Sequence, residues 1–273
     1  MSRSIAHRRK REWSALYEIA PHTAVEKVVM RTDDYDRIGP IRLPLRTVGK
    51  GVVDFTIYYY GFYSSGESYY LITPASDLKF ANPLVRISSN CNWAFDLDSV
   101  RCECDWEFQD AKVKVAEEPD RDGLIVFALD QHGKSIPGGT RGHALVYALG
   151  QAQQQNLVYD AYVKNGFALD YRRYDDICLI LEAIGVRGMR LLTNNPERIE
   201  FFRTRGFDPM RVPIEKPYER YDSEELGVKR ERLNHLLVLP EFIPEDIRIY
   251  GLDPTEAFAT PSGTEGRHRP HIA

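Results

Sequence analysis

Three cysteines stand close together, Cys91, Cys102 and Cys104, in the run NCNWAFDLDSVRCECDW, with the spacing C-x10-C-x-C. Two thiolates one residue apart can face a single ion where the chain turns, and a loop ten residues upstream brings the third. A structural zinc site wants a fourth Cys or His, which the surrounding residues do not offer. Three protein ligands leave the fourth position to water, as in catalytic zinc sites, and that water becomes acidic enough to attack as hydroxide near neutral pH. Two plainer readings stand beside this one: buried Cys serves as a small apolar filler, and one disulfide could leave an odd thiol. The opening run IAHRRKREW is basic, so no secretory segment is expected and a cytoplasmic address follows, where disulfides are disfavoured. Cys178 falls within the apolar run ICLILEAIGV and reads as core.

Two other stretches could do chemistry. In LLTNNPERI (191–199) an apolar strand ends at Thr193, Asn195 can cap a helix and Pro196 suits its first turn. Free N–H groups there would attract an anion, and Arg198 adds a full positive charge. A well-capped strand-to-helix turn explains the same residues without any ligand. In GFALDYRRYDD (166–176), Asp170 and Arg172 precede an apolar helix, and an acidic cap with surface charges is the plain alternative.

The elements that must hold these residues follow from periodicity. The aromatic runs 52–63 and 67–74 predict a hairpin through Ser64, Ser65 and Gly66. Residues 106–118 predict an amphipathic helix, 123–130 a buried strand, and HGKSIPGGTRG (132–142) a Gly-rich loop leading into the helix ALVYALGQAQQQ. Further helices are expected at 173–185, 196–205 and 223–237, with a strand at 188–193. Residues 1 to about 45 read as irregular or weakly helical, and the Pro/Gly/Thr/His-rich tail as loose. Alternation of strand and helix from 106 onward predicts an α/β (mixed α+β) core, residues 81–240, with an N-terminal extension, 1–80, that is β-rich after about residue 50, and a tail, 241–273. The chain's 273 residues suffice for a sizeable core. A net charge of −4 argues against a general nucleic-acid binder, and no apolar run approaches membrane-spanning length.

Taken together, these motifs resemble the GTP cyclohydrolase II family over about Leu84 to Leu237. The resemblance is carried by RISSNC with SVRCEC, GLIVFALDQHGK, YDAYVKNGFALDYRRY, GVRGMRLLTNNPERI, MRVPIE and KRERLNHLL, the last similar to the family's closing Lys-x-x-x-x-x-His helix. It implies that Cys91, Cys102 and Cys104 bind Zn2+, and that the guanine imidazole ring is opened with release of formate and pyrophosphate. It implies Asp170 as general base or proton shuttle, Arg172 at the α-phosphate, and Tyr147 as the best match to the active-site tyrosine. Arg86, Thr193 and Arg198 fall at nucleotide- or phosphate-binding positions, Arg198 in place of a common lysine. Arg101, His132, Lys134 and Arg141 complete the expected substrate contacts. A homodimer, and Mg2+ accompanying the nucleotide, are implied in the same way.

The departures are concentrated in one loop. His132 stands where the family has a glutamate and Lys134 where it has an arginine, which loses the planar fork of a guanidinium. Asn90 replaces a glutamate beside the first cysteine, and about two extra residues precede Tyr159. The hydrolytic residues are thus kept while the substrate loop is rewritten. A relative acting on another N-heterocycle, such as a uracil derivative in pyrimidine breakdown or a specialised biosynthetic pathway, is the alternative, and a non-catalytic binding protein is disfavoured by the intact Cys and Asp-x-Arg residues.

Overall fold

The computed structural model describes residues 2–18, 22–153, 158–216 and 223–237. Helix α1 (Ser2–Tyr17) and the short α2 (His22–Val25) lead into strands β1 (Val29–Arg31) and β2 (Tyr35–Thr47). The first 45 residues are therefore more regular than their sequence suggests. Residues 41–46 alternate apolar and polar in strand fashion, a pattern interrupted to the eye by Pro40 and Pro44. Both prolines lie beyond Ile38, where pairing with β1 ends, so a missing N–H removes nothing from a ladder on that flank. Helix α1 docks through Trp13, whose ring lies 5.4 Å from that of Tyr63. It needs Gly61 beneath it, because a Cβ there would come within 2.7 Å of the indole. Tyr17 and Tyr63 both donate to the buried carboxylate of Asp36, tying helix to sheet.

Strands β3 (Gly51–Phe62) and β4 (Ser68–Thr73) form the expected hairpin, with Tyr60, Phe62, Tyr69 and Leu71 fully buried. The chain continues through β5 (Leu84–Ser89), α3 (Asn92–Phe95), α4 (Cys104–Glu117), β6 (Gly123–Ala128), α5 (Thr140–Ala152) and α6 (Val158–Lys164). Then come α7 (Asp175–Ala183), β7 (Gly188–Leu192), α8 (Pro196–Thr204), β8 (Asp208–Val212) and α9 (Ser223–Arg232). Strands β5 and β8 were not anticipated; β5 carries a buried arginine and β8 a proline, and each spoils an apolar pattern. The predicted tail, 241–273, lies outside the described residues, as does the end of the ALVYALGQAQQQ run.

All eight strands join one sheet in the order β1-β2-β3-β4-β6-β5-β7-β8. From β1 to β6 neighbours run antiparallel, and from β6 through β5 and β7 to β8 they run parallel. The architecture is mixed α/β. One core packs Tyr58, Tyr60, Val85, Ile87 and Leu191 with residues of α7 and α8; another packs Phe55, Ile57, Leu84 and Ile125 with Ala111 and Val115 of α4. Strand β5 connects onward to β6 on one side, while its other neighbour β7 connects to β8 on the other, so the connections from these two adjacent strands leave in opposite directions. Such a switch point opens a crevice beyond the carboxyl ends of the parallel strands.

Candidate active site

That crevice is a cavity of about 510 Å³, and the ends of β5, β6 and β7 each deliver residues to it. From β5 come Arg86 and, just past the strand, Asn90 and Cys91; from the β6 end, Gln131, Gly133 and Lys134; from the β7 end, Thr193, Asn194 and Asn195. Cys102 and Cys104 enter on the turn opening α4, Asp170 and Arg172 on the loop before α7, and Lys229 and His235 from α9 and the segment after it.

The three sulfurs Sγ of Cys91, Cys102 and Cys104 lie within 4.8 Å of one another, with Cys91 and Cys102 3.9 Å apart, and none is in a disulfide. The filler and disulfide readings therefore give way to a convergent thiol cluster. Such thiols resist ionising together. Cys91 is pushed up to about 12: its contact with Cys102 favours the thiolate, but that is outweighed by its contact with Cys104, by burial and by Cys104's charge. Cys104 is raised well above its usual value by the contact with Cys102, with burial adding to it. A soft divalent cation placed among them would reverse this balance, since a coordinated thiol gives up its proton outright. The donor set, its closeness and its partial burial fit Zn2+ held by three thiolates.

Between the cysteines, Glu103 is buried and paired with Lys229 of α9, fastening that helix to the thiol turn. Three residues beyond Cys104 on the same helix face, Glu107 accepts from Arg86 Nη2 at 2.5 Å. Arg86 also donates to the Leu192 carbonyl at 3.0 Å, so this buried guanidinium bridges α4 and the end of β7.

Asp170 does not cap α7, whose N-cap is Tyr174 without a side-chain bond. Instead its carboxylate is gripped by Arg172: Nε lies 2.9 Å from Oδ1 and 3.0 Å from Oδ2, and the Arg172 backbone N–H adds a bond of 2.9 Å. Burial works to raise the Asp170 pKa, but Arg172's charge and hydrogen bonds win and hold it below the usual carboxylate range.

At the start of α8 the expected cap is present, with a consequence for the anion reading. Asn195 Oδ1 accepts from the N–H of Glu197 at 2.9 Å and of Arg198 at 3.4 Å, and Pro196 has no N–H. The helix terminus has thus spent its donors internally. The charge there comes from the Arg198 side chain, buried to 5 % exposure, which donates to the Ile87 carbonyl at 3.2 Å and to Tyr174 Oη at 3.3 Å. Those partners are neutral, and burial lowers the guanidinium's pKa.

The rewritten loop is rigidly held. Gly133 carries φ +53 with His143 so close that a Cβ would meet its ring at 2.7 Å. Lys134 and Ser135 take left-handed backbone, φ 55 and 61, costing about 1 kcal/mol each. Hydrogen bonds offset this: Tyr162 Oη donates to the Gly133 carbonyl at 2.7 Å, and the Tyr171 N–H to the Lys134 carbonyl at 2.9 Å. Lys134 Nζ donates to Tyr159 Oη at 2.8 Å. Tyr147 faces the cavity with its ring 5.0 Å from that of His143, whose pKa burial pulls down to about 4, with His132 adding to the fall.

The structure therefore brings together at one cavity Arg86, Cys91, Cys102, Cys104, Lys134, Tyr147, Asp170, Arg172, Thr193 and Arg198. Three expected contacts are not among its lining: Arg101, half-buried, Arg141, exposed on α5, and His132, turned toward Asn90 with Nε2 3.4 Å from the amide nitrogen. Sequence reasoning passed over Glu103, Glu107, Lys229 and His235 as site residues. Glu103 had a signal in its place between two cysteines, Glu107 in its helical spacing from Cys104, and the last two in the Lys-x-x-x-x-x-His run.

Comparison with known proteins places this geometry. The family model described as GTP cyclohydrolase II matches residues 41–209. A GTP cyclohydrolase-2 of Shewanella pealeana is 34% identical over 183 residues, covering 67% of this chain and 84% of that protein. One of Shewanella halifaxensis is 36% identical over 164 residues, 60% of this chain and 75% of its own. A third, from Shewanella sp. (strain MR-4), is 33% identical over 183 residues, 67% and 87% of the two chains. With its thiol cluster and Asp-x-Arg pair meeting at the switch point of the sheet, this chain belongs to the GTP cyclohydrolase II family and is a hydrolase of that type.

Proposed function

We propose that the protein opens the imidazole ring of GTP, releasing formate and pyrophosphate, with Zn2+ held by Cys91, Cys102 and Cys104. The observation that carries this reading is the convergence of three thiols, an Asp–Arg pair and the buried cations Arg86 and Arg198 on one cavity. Bound there, the ion supplies a water molecule acidic enough to lose a proton near neutral pH. The chain's own residues do the rest. Asp170 accepts and returns protons during ring opening. Arg172 holds the α-phosphate, and Arg86, Thr193 and Arg198 hold the remainder of the phosphate chain. A phosphate arriving at Arg172 competes with Asp170 for the same guanidinium, and a carboxylate that loses its cation becomes a stronger base. Substrate binding thereby readies the base. Tyr147 and His143 give the base side an aromatic wall. The same reading carries Mg2+ on the triphosphate, a homodimer, and a cytoplasmic setting.

The altered loop supports a second reading, hydrolysis of another N-heterocycle, because Lys134 is engaged by Tyr159 and His132 lies off the cavity. Incubating the zinc-loaded protein with GTP, GMP and uracil derivatives, and measuring formate and pyrophosphate, tests both. Formate and pyrophosphate from GTP are expected; protein inert toward GTP but active on a pyrimidine would transfer the assignment.

A further inference from the structure

After α9 the chain turns at Asn234, φ 53, and returns along the cavity as the segment Leu233–Leu237. This segment is latched at both sides of Leu236. Its N–H donates to the Asn194 carbonyl at 2.8 Å, and its carbonyl accepts from Arg211 Nη2 at 2.5 Å. The same Arg211 nitrogen donates to Asn194 Oδ1 at 2.9 Å, so β8, the β7–α8 turn and the segment are knitted together. The His235 N–H donates to the Lys229 carbonyl at 2.9 Å, which fixes the residue's backbone from the helix side. A strap so held places Leu233, His235 and Leu237 at the cavity; of these His235 alone carries a polar side chain, and among the described residues no hydrogen bond engages its ring.

The ring's surroundings say what it would meet. Lys229 on α9, Arg198 on α8, Lys134 on the loop before α5 and Arg172 on the loop before α7 all act on it electrostatically. Burial and these charges hold its pKa down to about 3, so the imidazole is neutral, with one nitrogen a donor. A neutral donor among cations can add a hydrogen bond to an anion without adding repulsion to a crowded positive site.

We propose that His235 is a direct ligand of the substrate's phosphate chain, delivered by a strap that Asn194 and Arg211 latch against the β7–α8 turn. This rests on the reading of a phosphate-bearing substrate. Titration of the zinc-loaded full chain with Mg2+-saturated inorganic triphosphate, followed calorimetrically with zinc content checked afterwards, tests it. His235→Leu should bind about tenfold more weakly, the loss expected for one hydrogen bond to a charged group. His235→Gln, which keeps an N–H, should recover much of that loss. Unchanged affinity in His235→Leu, or equal losses in both variants, would overturn the proposal. In the wild type, the His235 ring nitrogens should shift in nitrogen NMR as triphosphate is added, and unmoved resonances would overturn it without any variant. Formate release from GTP is measured on the same preparation. No formate alongside a triphosphate effect at His235 overturns only the GTP reading; formate with unaltered triphosphate binding in His235→Leu overturns only the strap's role.

Discussion

The two ends of the cavity solve opposite electrostatic problems. At the thiol end, Cys91, Cys102 and Cys104 crowd acidic groups that suppress one another's ionisation, and Glu103 beside two of them is already satisfied by Lys229. At the Asp170 end, charge is in surplus and positive: Arg172 is shared with a carboxylate, while Arg198 is buried with neutral partners. In our proposal the first end receives a cation and the second an anion. A ligand that carries a heterocycle at one end and phosphates at the other matches that polarity.

The sharpest way to break the comparison is at the thiols. Cys102→Ser should lose the metal and lower ring opening about a thousandfold or more, the scale seen when an essential member of a catalytic unit is removed. Elemental analysis alongside formate release checks this, and zinc retained at one ion per chain with full activity would refute it. Next in size, Asp170→Asn should lower formate release about a hundredfold or more through lost proton transfer. It also frees Arg172, so triphosphate should bind at least as tightly as before; calorimetry reads the two effects apart. The same variant sharpens a pH argument. Asp170's folded pKa is depressed, so its ion pair stabilises above the unfolded carboxylate range and is lost as pH falls through the folded value. The melting temperatures of wild type and Asp170→Asn should therefore differ near neutrality and converge on acidification.

Smaller effects belong to single cations. Arg198→Met should weaken triphosphate binding by roughly tenfold to a hundredfold, as expected for charge-assisted bonds. Its Tm should move little, because removing an unbalanced buried charge offsets the bonds lost to Ile87 and Tyr174. A large fall in Tm with unchanged binding would make Arg198 structural. Smallest is Lys134→Ala: a KM for GTP raised a few-fold with turnover little changed, the pattern of uniform binding. Unaltered kinetics would leave Lys134 as a support for Tyr159 alone.

In the parallel half of the sheet the helices and two of the four strands were legible because they obey their periods, while β5 and β8 were missed. Helices α4, α7 and α8 and strands β6 and β7 begin and end within a few residues of expectation. The antiparallel half was half legible: β3 and β4 announce themselves by aromatic alternation, while β1 and β2 hide behind three-residue length and two prolines. At the site, the convergence of the cysteines was readable because their residue type and spacing together suit one ion. His132, Arg101 and Arg141 were not, because a charge or a ring in a loop says nothing of which way the loop faces; a one-residue change of turn sends it elsewhere. Arg198 lies at the cavity as expected of its position, but the Asn195 cap had already used the helix N–H groups that seemed to explain it.

The prolines of β2 also bear on how the molecule meets its neighbours in solution. Among the described residues no strand lies beside the outer flank of β2 past Ile38, and an open flank of this length is a template for another chain's backbone. Pro40 and Pro44 withhold donors from any such newcomer, and Arg42 and Arg46, both exposed, would set like charges against one another in a sheet-to-sheet stack. The long hairpin, packed on α4 through Phe55, can thus leave this flank uncovered at high concentration without seeding fibres. Replacing both prolines with valine should leave catalysis intact and make the protein aggregate.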